Sequence, residues 1–202
     1  TNGSGKASNY ILTEPTDVQV NISKAQATVI ANSLNTTYNG QHQSVSGFTA
    51  TGLVAGEDIS VLTDVTASVS GKNAGLYINQ ASGTDENYDL SFVDGQLQID
   101  KAQAIVTANS LNTTYNGQNQ SVSGFTATGL VGGEDVSVLT DVTASVSGKN
   151  AGSYVNQASG TDENYDLSFV DGQLQIDKAQ AIVTANSLNT TYNGQNQSVS
   201  GF

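Results

Sequence analysis

The feature that most constrains this chain is a long internal repeat. Lys24–Asp100 and Lys101–Asp177 are consecutive 77-residue copies that differ at only seven positions. Residues 178–202 begin a third copy, and residues 1–23 match the diverged end of an earlier one. A fixed period of this kind is the signature of arrays, in which each copy is one structural module. We therefore predict modules at 24–100 and 101–177, and we favour a structural or interaction role over an enzyme.

Composition excludes several classes of function. The chain carries 18 acidic residues against six lysines, which gives a net charge of −12. Such a surface repels nucleic acid and anionic membrane, because both present negative charge. Cysteine is absent, so neither disulfides nor thiolate metal sites can form. No apolar stretch approaches the 18 or so residues of a membrane-spanning helix, so we expect no membrane insertion in this segment.

Short alternating apolar runs, separated by turn residues every eight to twelve positions, predict an all-β fold. In the first copy we predict strands at 25–32, 34–38, 43–50, 59–62, 65–69, 76–81, 87–93 and 96–100. With the neighbouring runs 59–62 and 65–69 taken together, these six or seven short strands suit a small β-sandwich of the immunoglobulin-like kind, repeated in tandem as an elongated rod. Modules of the β-grasp type are the alternative.

The junction between the copies has a distinctive strand phase. Leu97 and Ile99 are the apolar residues of one strand, whereas Ala102, Ala104 and Val106 are those of the next. The inward face therefore moves from odd to even positions across the junction, and no Gly, Pro or Ser separates the two strands. Because so short a connection leaves little hinge freedom, we predict a stiff array.

An acidic cluster is the one candidate metal site. Calcium prefers several oxygen ligands, and Asp-rich turns at a junction would rigidify an array. A solvated surface is the simpler reading, since the spacing matches no known calcium loop. His42 is replaced by Asn119 and Asn196 in the other copies, which argues against a catalytic role. The predicted calcium ligands are Asp85, Glu86, Asp89, Asp94, Asp162, Glu163, Asp166 and Asp171, and no other cofactor is expected.

The tyrosines of each copy lie at strand positions. Tyr38, Tyr77 and Tyr88 are predicted to pack in the core, with each hydroxyl bonded to the backbone. Stacking on sugars is the alternative, and it would make the module a glycan binder.

Each copy carries an ordered set of five short motifs. In the first copy they are Tyr38-Asn39-Gly40, Gly52–Asp58, Asn73–Tyr77, Asn87–Leu90 and Asp94–Ile99. They recur in the second copy at Tyr115-Asn116-Gly117, Gly129–Asp135, Asn150–Tyr154, Asn164–Leu167 and Asp171–Ile176. This ordered set resembles the MBG and YDG-type repeats of large bacterial surface adhesins, including filamentous-haemagglutinin-like proteins. The resemblance implies a β-rich module on the bacterial cell surface, and it implies no catalytic residues.

Three functions follow as hypotheses. The first is a stalk or spacer of an extracellular adhesin or biofilm-matrix protein, whose partners are neighbouring repeats. The second is a self-assembling extracellular fibre, in which chains associate head to tail by strand complementation. The third is a glycan-binding module. In each case we expect no enzymatic activity.

Overall fold

A computed structural model describes residues 11 and 13 and residues 19–202. The first copy forms nine short strands, which are β1 (Ala25–Ala31), β2 (Leu34–Thr37), β3 (Gln43–Ser46), β4 (Phe48–Thr51), β5 (Thr66–Gly71), β6 (Gly75–Asn79), β7 (Ala81–Ser82), β8 (Tyr88–Val93) and β9 (Gly95–Asp100). The second copy repeats them as β10 (Ala102–Ala108), β11 (Leu111–Thr114), β12 (Gln120–Ser123), β13 (Phe125–Thr128), β14 (Thr143–Gly148), β15 (Gly152–Asn156), β16 (Ala158–Ser159), β17 (Tyr165–Val170) and β18 (Gly172–Asp177). The all-β prediction is confirmed.

Each copy builds three small sheets with the same strand orders. In the second copy these are β13-β10-β17, β11-β18-β15 and β12-β14-β16, and in the first they are β4-β1-β8, β2-β9-β6 and β3-β5-β7. The sheets are mixed: β10 runs parallel to β17 and antiparallel to β13, while β18 runs parallel to β11 and antiparallel to β15. Much of this pairing is long-range in sequence. For example, more than 50 residues separate the paired strands β10 and β17.

The chain forms two compact units whose boundaries do not coincide with those of the sequence copies. Among the described residues, unit 1 contains residues 11, 13 and 19–33, together with 45–69 and 78–96. Most of the predicted diverged end of an earlier copy, at 1–23, lies outside the described residues. Unit 2 contains the whole second copy together with residues 34–44, 70–77 and 97–100 of the first, and it continues to residue 202. Unit 2 therefore includes contacts between residues of successive copies. The module boundaries at 24–100 and 101–177 stay a prediction.

The core of unit 1 follows the alternation of the sequence. Ala27, Val29 and Ala31 face inward from β1, and Val29 is fully buried. They pack with the buried residues Leu62, Val65, Ala67, Ala81 and Tyr88. The corresponding positions of the second copy are buried in unit 2. Because strand side chains alternate between the two faces, one apolar residue in two is enough to build these cores.

The strand-phase prediction at the junction is confirmed in unit 2. Leu97 and Ile99 are buried on β9, and Ala104 and Val106 are buried on β10. Only Lys101 separates the two strands, and the chain passes from one sheet to another at that residue. The change of sheet explains why the inward face moves by one position.

Two predicted strands differ from the structure for local reasons. The run 43–50 is interrupted at Gly47, whose φ of +83° is left-handed, so β3 and β4 are separate strands in different sheets. The run 59–62, predicted as a strand, begins with the 3-10 turn Ile59–Val61. Asp58 caps this turn by accepting a hydrogen bond from the Ser60 amide at 2.8 Å, which favours a turn over an extended strand.

The third copy is different again. Residues 178–202 were predicted to carry the first strands of a repeat, but they form no strand, and every one of them is exposed. Their turns nevertheless keep the hydrogen bonds of the equivalent turns in the second copy, such as the bond from the Gln195 amide to Asn193 Oδ1 at 3.0 Å.

Candidate functional site: the contact between successive copies

A shared carboxylate in unit 2 joins a tyrosine of the first copy to a tyrosine of the second. Tyr38 Oη donates to Glu134 Oε1 at 2.5 Å, and Tyr165 Oη donates to Glu134 Oε2 at 2.6 Å. The two rings meet edge to face, with centroids 5.6 Å apart and planes at 81°. This arrangement suits the ring quadrupoles, and each phenol gains a charge-assisted hydrogen bond. We call Tyr38, Glu134 and Tyr165 the tyrosine junction.

Local structure on the first-copy side presents Tyr38 to its partners. The Tyr38 amide extends the β2 pairing by donating to the Asp100 carbonyl at 2.8 Å. The following residues turn sharply, since Asn39 Oδ1 accepts from the Gln41 amide at 2.9 Å and Gly40 has a φ of +76°. A Cβ at Gly40 would lie only 3.2 Å from Val131, so glycine also allows the close approach of the second copy.

Glu134 is held on the second-copy side by its own turn. The Glu134 amide donates to the Val131 carbonyl at 3.1 Å, and the Val131 amide donates to Tyr165 Oη at 2.8 Å. Tyr165 therefore uses its hydroxyl as acceptor and donor at once. These bonds lie within the second copy, so they hold the 131–134 turn in place independently of Tyr38.

A second contact lies beside the tyrosine junction. The Ala74 amide donates to Asn164 Oδ1 at 2.9 Å, and Asn73 Nδ2 reaches Glu163 Oε2 at 3.3 Å. Asn164 is positioned by Asp162, whose Oδ1 accepts from the Asn164 amide at 2.7 Å. The two copies thus meet through two turns on each side rather than through one bond.

Equivalent residues of the two copies differ in exposure according to whether they take part in the contact. Tyr38 is 5% exposed, whereas its counterpart Tyr115 is 40% exposed. Glu134 is half-buried, whereas its counterpart Glu57 is exposed. The sequences around these residues are nearly identical and differ nearby only at Ala55/Gly132, Ile59/Val136 and His42/Asn119. We therefore attribute the difference in exposure to the contact.

The acceptor side forms without a first-copy tyrosine. In unit 1, Tyr88 Oη donates to Glu57 and accepts from the Val54 amide at 2.8 Å, as Tyr165 does in unit 2. Tyr88 is as buried as Tyr165. The receiving half of the junction is therefore preorganised, and this lowers the entropic cost of the contact.

The environment of the junction also changes proton affinity. Burial, followed by the hydrogen bond to Glu134, raises the pKa of Tyr165 to about 12. The same two causes, in the same order, raise the pKa of Tyr38 well above its ordinary value of about 10. Both effects favour the neutral phenol, which is the form that can donate to the carboxylate.

The structure shows where the predicted calcium ligands lie. Asp85 and Asp162 accept backbone amides of their own turns, while Asp89 and Asp166 each accept a glutamine amide at 2.9 Å. Among the described residues, no group of three or more His, Asp or Glu side chains is arranged to hold a metal ion. Calcium binding stays a prediction, and a rise in melting temperature on adding calcium after chelation is its test.

The prediction for the tyrosines is answered residue by residue. Tyr38 and Tyr88 are buried and Tyr77 is half-buried. Tyr77 Oη donates to a backbone carbonyl, that of Asn73, at 3.0 Å. The Tyr88 hydroxyl also has a backbone partner, since it accepts from the Val54 amide, but it donates to Glu57. The Tyr38 hydroxyl donates to Glu134 rather than to the backbone. Sequence reasoning missed this use of glutamate, and the only signal for it was that each copy carries both a Tyr-Asn-Gly turn and a Gly-Glu turn.

His42 lies exposed in the turn before β3, as a loop residue would. In the part of the chain that the structure describes, no helix has the length and apolar character needed to cross a bilayer.

The fold and the junction define a tandem-repeat protein built from small three-stranded sheets. The chain belongs to the MBG family: the model described as MBG domain (YGX type) matches residues 27–98 and again residues 104–175. This confirms the resemblance drawn from the short motifs. No match was found among curated proteins or among solved structures. MBG repeat domains are not known as enzymes, and tandem MBG repeats indicate a repeat segment of a larger protein.

Proposed function

We propose that this chain is a spacer segment of an extracellular bacterial adhesin or biofilm-matrix protein, located on the cell surface, where it provides reach and stiffness. The observation that carries the proposal is the tyrosine junction, in which residues of one copy complete a hydrogen-bonded cluster in the next. Near-identical copies in series multiply length without adding a new kind of site. The proposal assigns the chain no catalytic step.

The connection between copies supports stiffness. A single residue, Lys101, separates β9 from β10, and both strands are held by pairing on either side of it. A flexible linker would instead let neighbouring modules sample many orientations. The two turn contacts in unit 2 add further restraint where the copies meet.

Distance measurement tests the proposal directly. The chain has no cysteine, so Thr63→Cys and Thr140→Cys introduce two spin labels at equivalent exposed positions of the two copies. Pulsed electron resonance is expected to give one narrow distance distribution. A matched variant with Gly-Ser-Gly-Ser inserted between Asp100 and Lys101 is expected to broaden it. Equal widths in the two proteins would contradict the spacer function.

A further inference from the structure

We propose that Tyr38 and Tyr165 form an oxidative cross-linking site, at which the two phenols couple into dityrosine and join successive copies covalently. The biological purpose of such a bond rests on the proposed spacer function, since a covalent link between successive copies would keep them from separating when the array is under load. The chemistry rests on observations of its own.

The amino-acid composition leaves tyrosine as the main target of oxidants. The chain has no Cys, no Met and no Trp, and it has eight tyrosines. Thiols, thioethers and indoles compete with phenols for oxidants in most proteins, and the products of the two sulfur groups are sulfur oxides or disulfides. In this chain the phenols are the most readily oxidised side chains.

The geometry favours coupling inside one chain. The hydroxyls of Tyr38 and Tyr165 converge on the two oxygens of one carboxylate, so the hydroxyl ends of both rings are held at the same place. The ring centroids are 5.6 Å apart, and both rings are almost completely buried. Coupling requires the rings to tilt from this edge-to-face arrangement until one ortho carbon of each ring meets the other.

Glu134 supplies the proton acceptor that phenol oxidation requires. A phenol loses its electron readily only when its proton leaves at the same time, and both phenols donate to this carboxylate. A carboxylate holds one proton, so the half-buried Glu134 releases the first proton to solvent before it accepts the second. Because the pair is buried, the radicals formed are shielded from water and from other chains. Glu134 is thus a positioning and proton-accepting residue for the reaction.

The reaction balances with two equivalents of a one-electron oxidant, as peroxide supplies through a haem peroxidase. Each phenol gives up one electron and its hydroxyl proton, and the two radicals form one carbon–carbon bond between the positions ortho to the hydroxyls. The two ortho hydrogens then return to the oxygens as the rings become aromatic again. The net loss is two electrons and two protons, which convert one peroxide into two waters.

The other tyrosines provide internal controls. Tyr88 occupies the same place in unit 1 as Tyr165 does in unit 2, and among the described residues no ring pair is found there. Tyr115 and Tyr192 are 40% and 89% exposed, so each can meet a tyrosine of another chain. Coupling between chains falls on dilution, whereas coupling at the junction does not.

The test uses the full chain, dilute, with a photo-oxidised ruthenium(III) tris-bipyridine complex as the one-electron oxidant. Cleavage after lysine places Tyr38 in the peptide 25–72 and Tyr165 in the peptide 150–178. The expected product is these two peptides joined, lighter by two hydrogens than their sum, with dityrosine fluorescence and no dimer. Cross-links found only between chains would overturn the proposal.

Two variants make the result specific. Tyr165→Phe is expected to reduce the joined peptide to background, whereas the matched Tyr88→Phe keeps it. Persistence of a 25–72 to 150–178 cross-link in Tyr165→Phe would assign it to Tyr154 and overturn the proposal. Glu134→Gln keeps both rings and is expected to slow coupling several-fold. An unchanged rate would show that Glu134 does not accept the protons in the reaction. The spin-label distances are independent of the oxidation, so failure of the cross-link is distinguishable from failure of the spacer function.

Discussion

Residues 101–125 and 178–202 have identical sequences, 25 residues long, yet they fold differently. In the second copy this sequence forms β10, β11 and β12 and begins β13. In the third copy the same sequence forms no strand and is exposed throughout. Val106 is fully buried, whereas its identical counterpart Val183 is 66% exposed.

What the two stretches share is local. Gly117 and Gly194 have φ values of +81° and +79°, and each follows an asparagine that accepts a hydrogen bond from the residue after the glycine. The amides of Asn109 and Asn186 donate to the carbonyls of Gly124 and Gly201, at 3.0 and 3.3 Å. The asparagine–glycine turn needs only neighbouring residues, and the backbone bond joins residues that both lie within the stretch, so both features form in both contexts.

What differs is non-local. β10 pairs with β13 and with β17, and β11 pairs with β18. The counterparts of β17 and β18 for the third copy would fall after residue 202. Within residues 19–202 no strand pairs with 179–185, so the extended backbone there is not fixed as a strand. The comparison teaches that the strands of this repeat are products of pairing across the copy.

The largest expected effect comes from supplying the missing partners. Extending the chain by the 52 residues that follow Phe125 in the second copy, 126–177, should convert 179–185 into a paired strand. Hydrogen exchange of the amides in 179–202 is expected to slow by about 10³-fold or more. An extension of the same composition in scrambled order serves as the control. Unprotected amides in the true extension would show that pairing is not the missing factor.

A second effect follows at the identical valines. Val106→Ala removes two methyl groups from a fully buried site and is expected to cost about 2 kcal/mol in the free energy of unfolding. Val183→Ala removes the same groups from an exposed site and should cost less than about 0.5 kcal/mol. Urea denaturation of the two variants measures both values. Equal losses would mean that 178–202 packs in solution.

A third effect concerns the equivalent tyrosines. Tyr38→Phe deletes a buried hydrogen bond to a carboxylate and is expected to cost about 1.5 kcal/mol. Tyr115→Phe and Tyr192→Phe alter exposed residues and should be nearly neutral. Thermal denaturation of the three proteins ranks them. If Tyr38→Phe leaves the free energy of unfolding unchanged, the hydrogen bond from Tyr38 to Glu134 does not stabilise the tyrosine junction.

The smallest effect is the pH dependence of the junction. The pKa values of Tyr38 and Tyr165 are raised on folding, so the folded state holds these protons more tightly than the unfolded state does. Their contribution is complete below about pH 10 and is lost as the pH rises towards the folded pKa, about 12 for Tyr165. Denaturation at about pH 9 and pH 11, in wild type and in the double Phe variant, should show a larger loss in wild type. Equal losses would contradict the assignment of the raised values.

Particular residues show how far the sequence carried the prediction. Alternation correctly identified the buried faces of β1, β9 and β10, including Val29, Leu97 and Val106. It misassigned residues 59–62, because a capping aspartate competes with extended backbone there. It also treated 43–50 as one strand, because it did not anticipate that the chain changes sheets at Gly47. Each miss occurred where a local turn interrupts an apolar run.

The candidate site was harder to predict than the fold. The sequence indicated that Tyr38 would be buried, but its hydrogen-bond partner is Glu134, which lies 96 residues away. The acidic residues singled out for calcium were chosen because they are dense in sequence, whereas Glu134 lies outside that cluster. Density along the chain says little about proximity in space when most contacts are long-range.

The sequence by itself determined the repeat, the all-β character, the turns and the inward face of each strand, because these depend on residues within a few positions of one another. Only the tertiary structure decided which alternating runs become strands and which tyrosine meets which glutamate. Partners that are distant in sequence decide those outcomes, from 31 residues apart for Tyr165 and Glu134 to 96 residues apart for Tyr38 and Glu134. The two identical stretches are the evidence: the same 25 residues keep their turns in both places and form strands in only one.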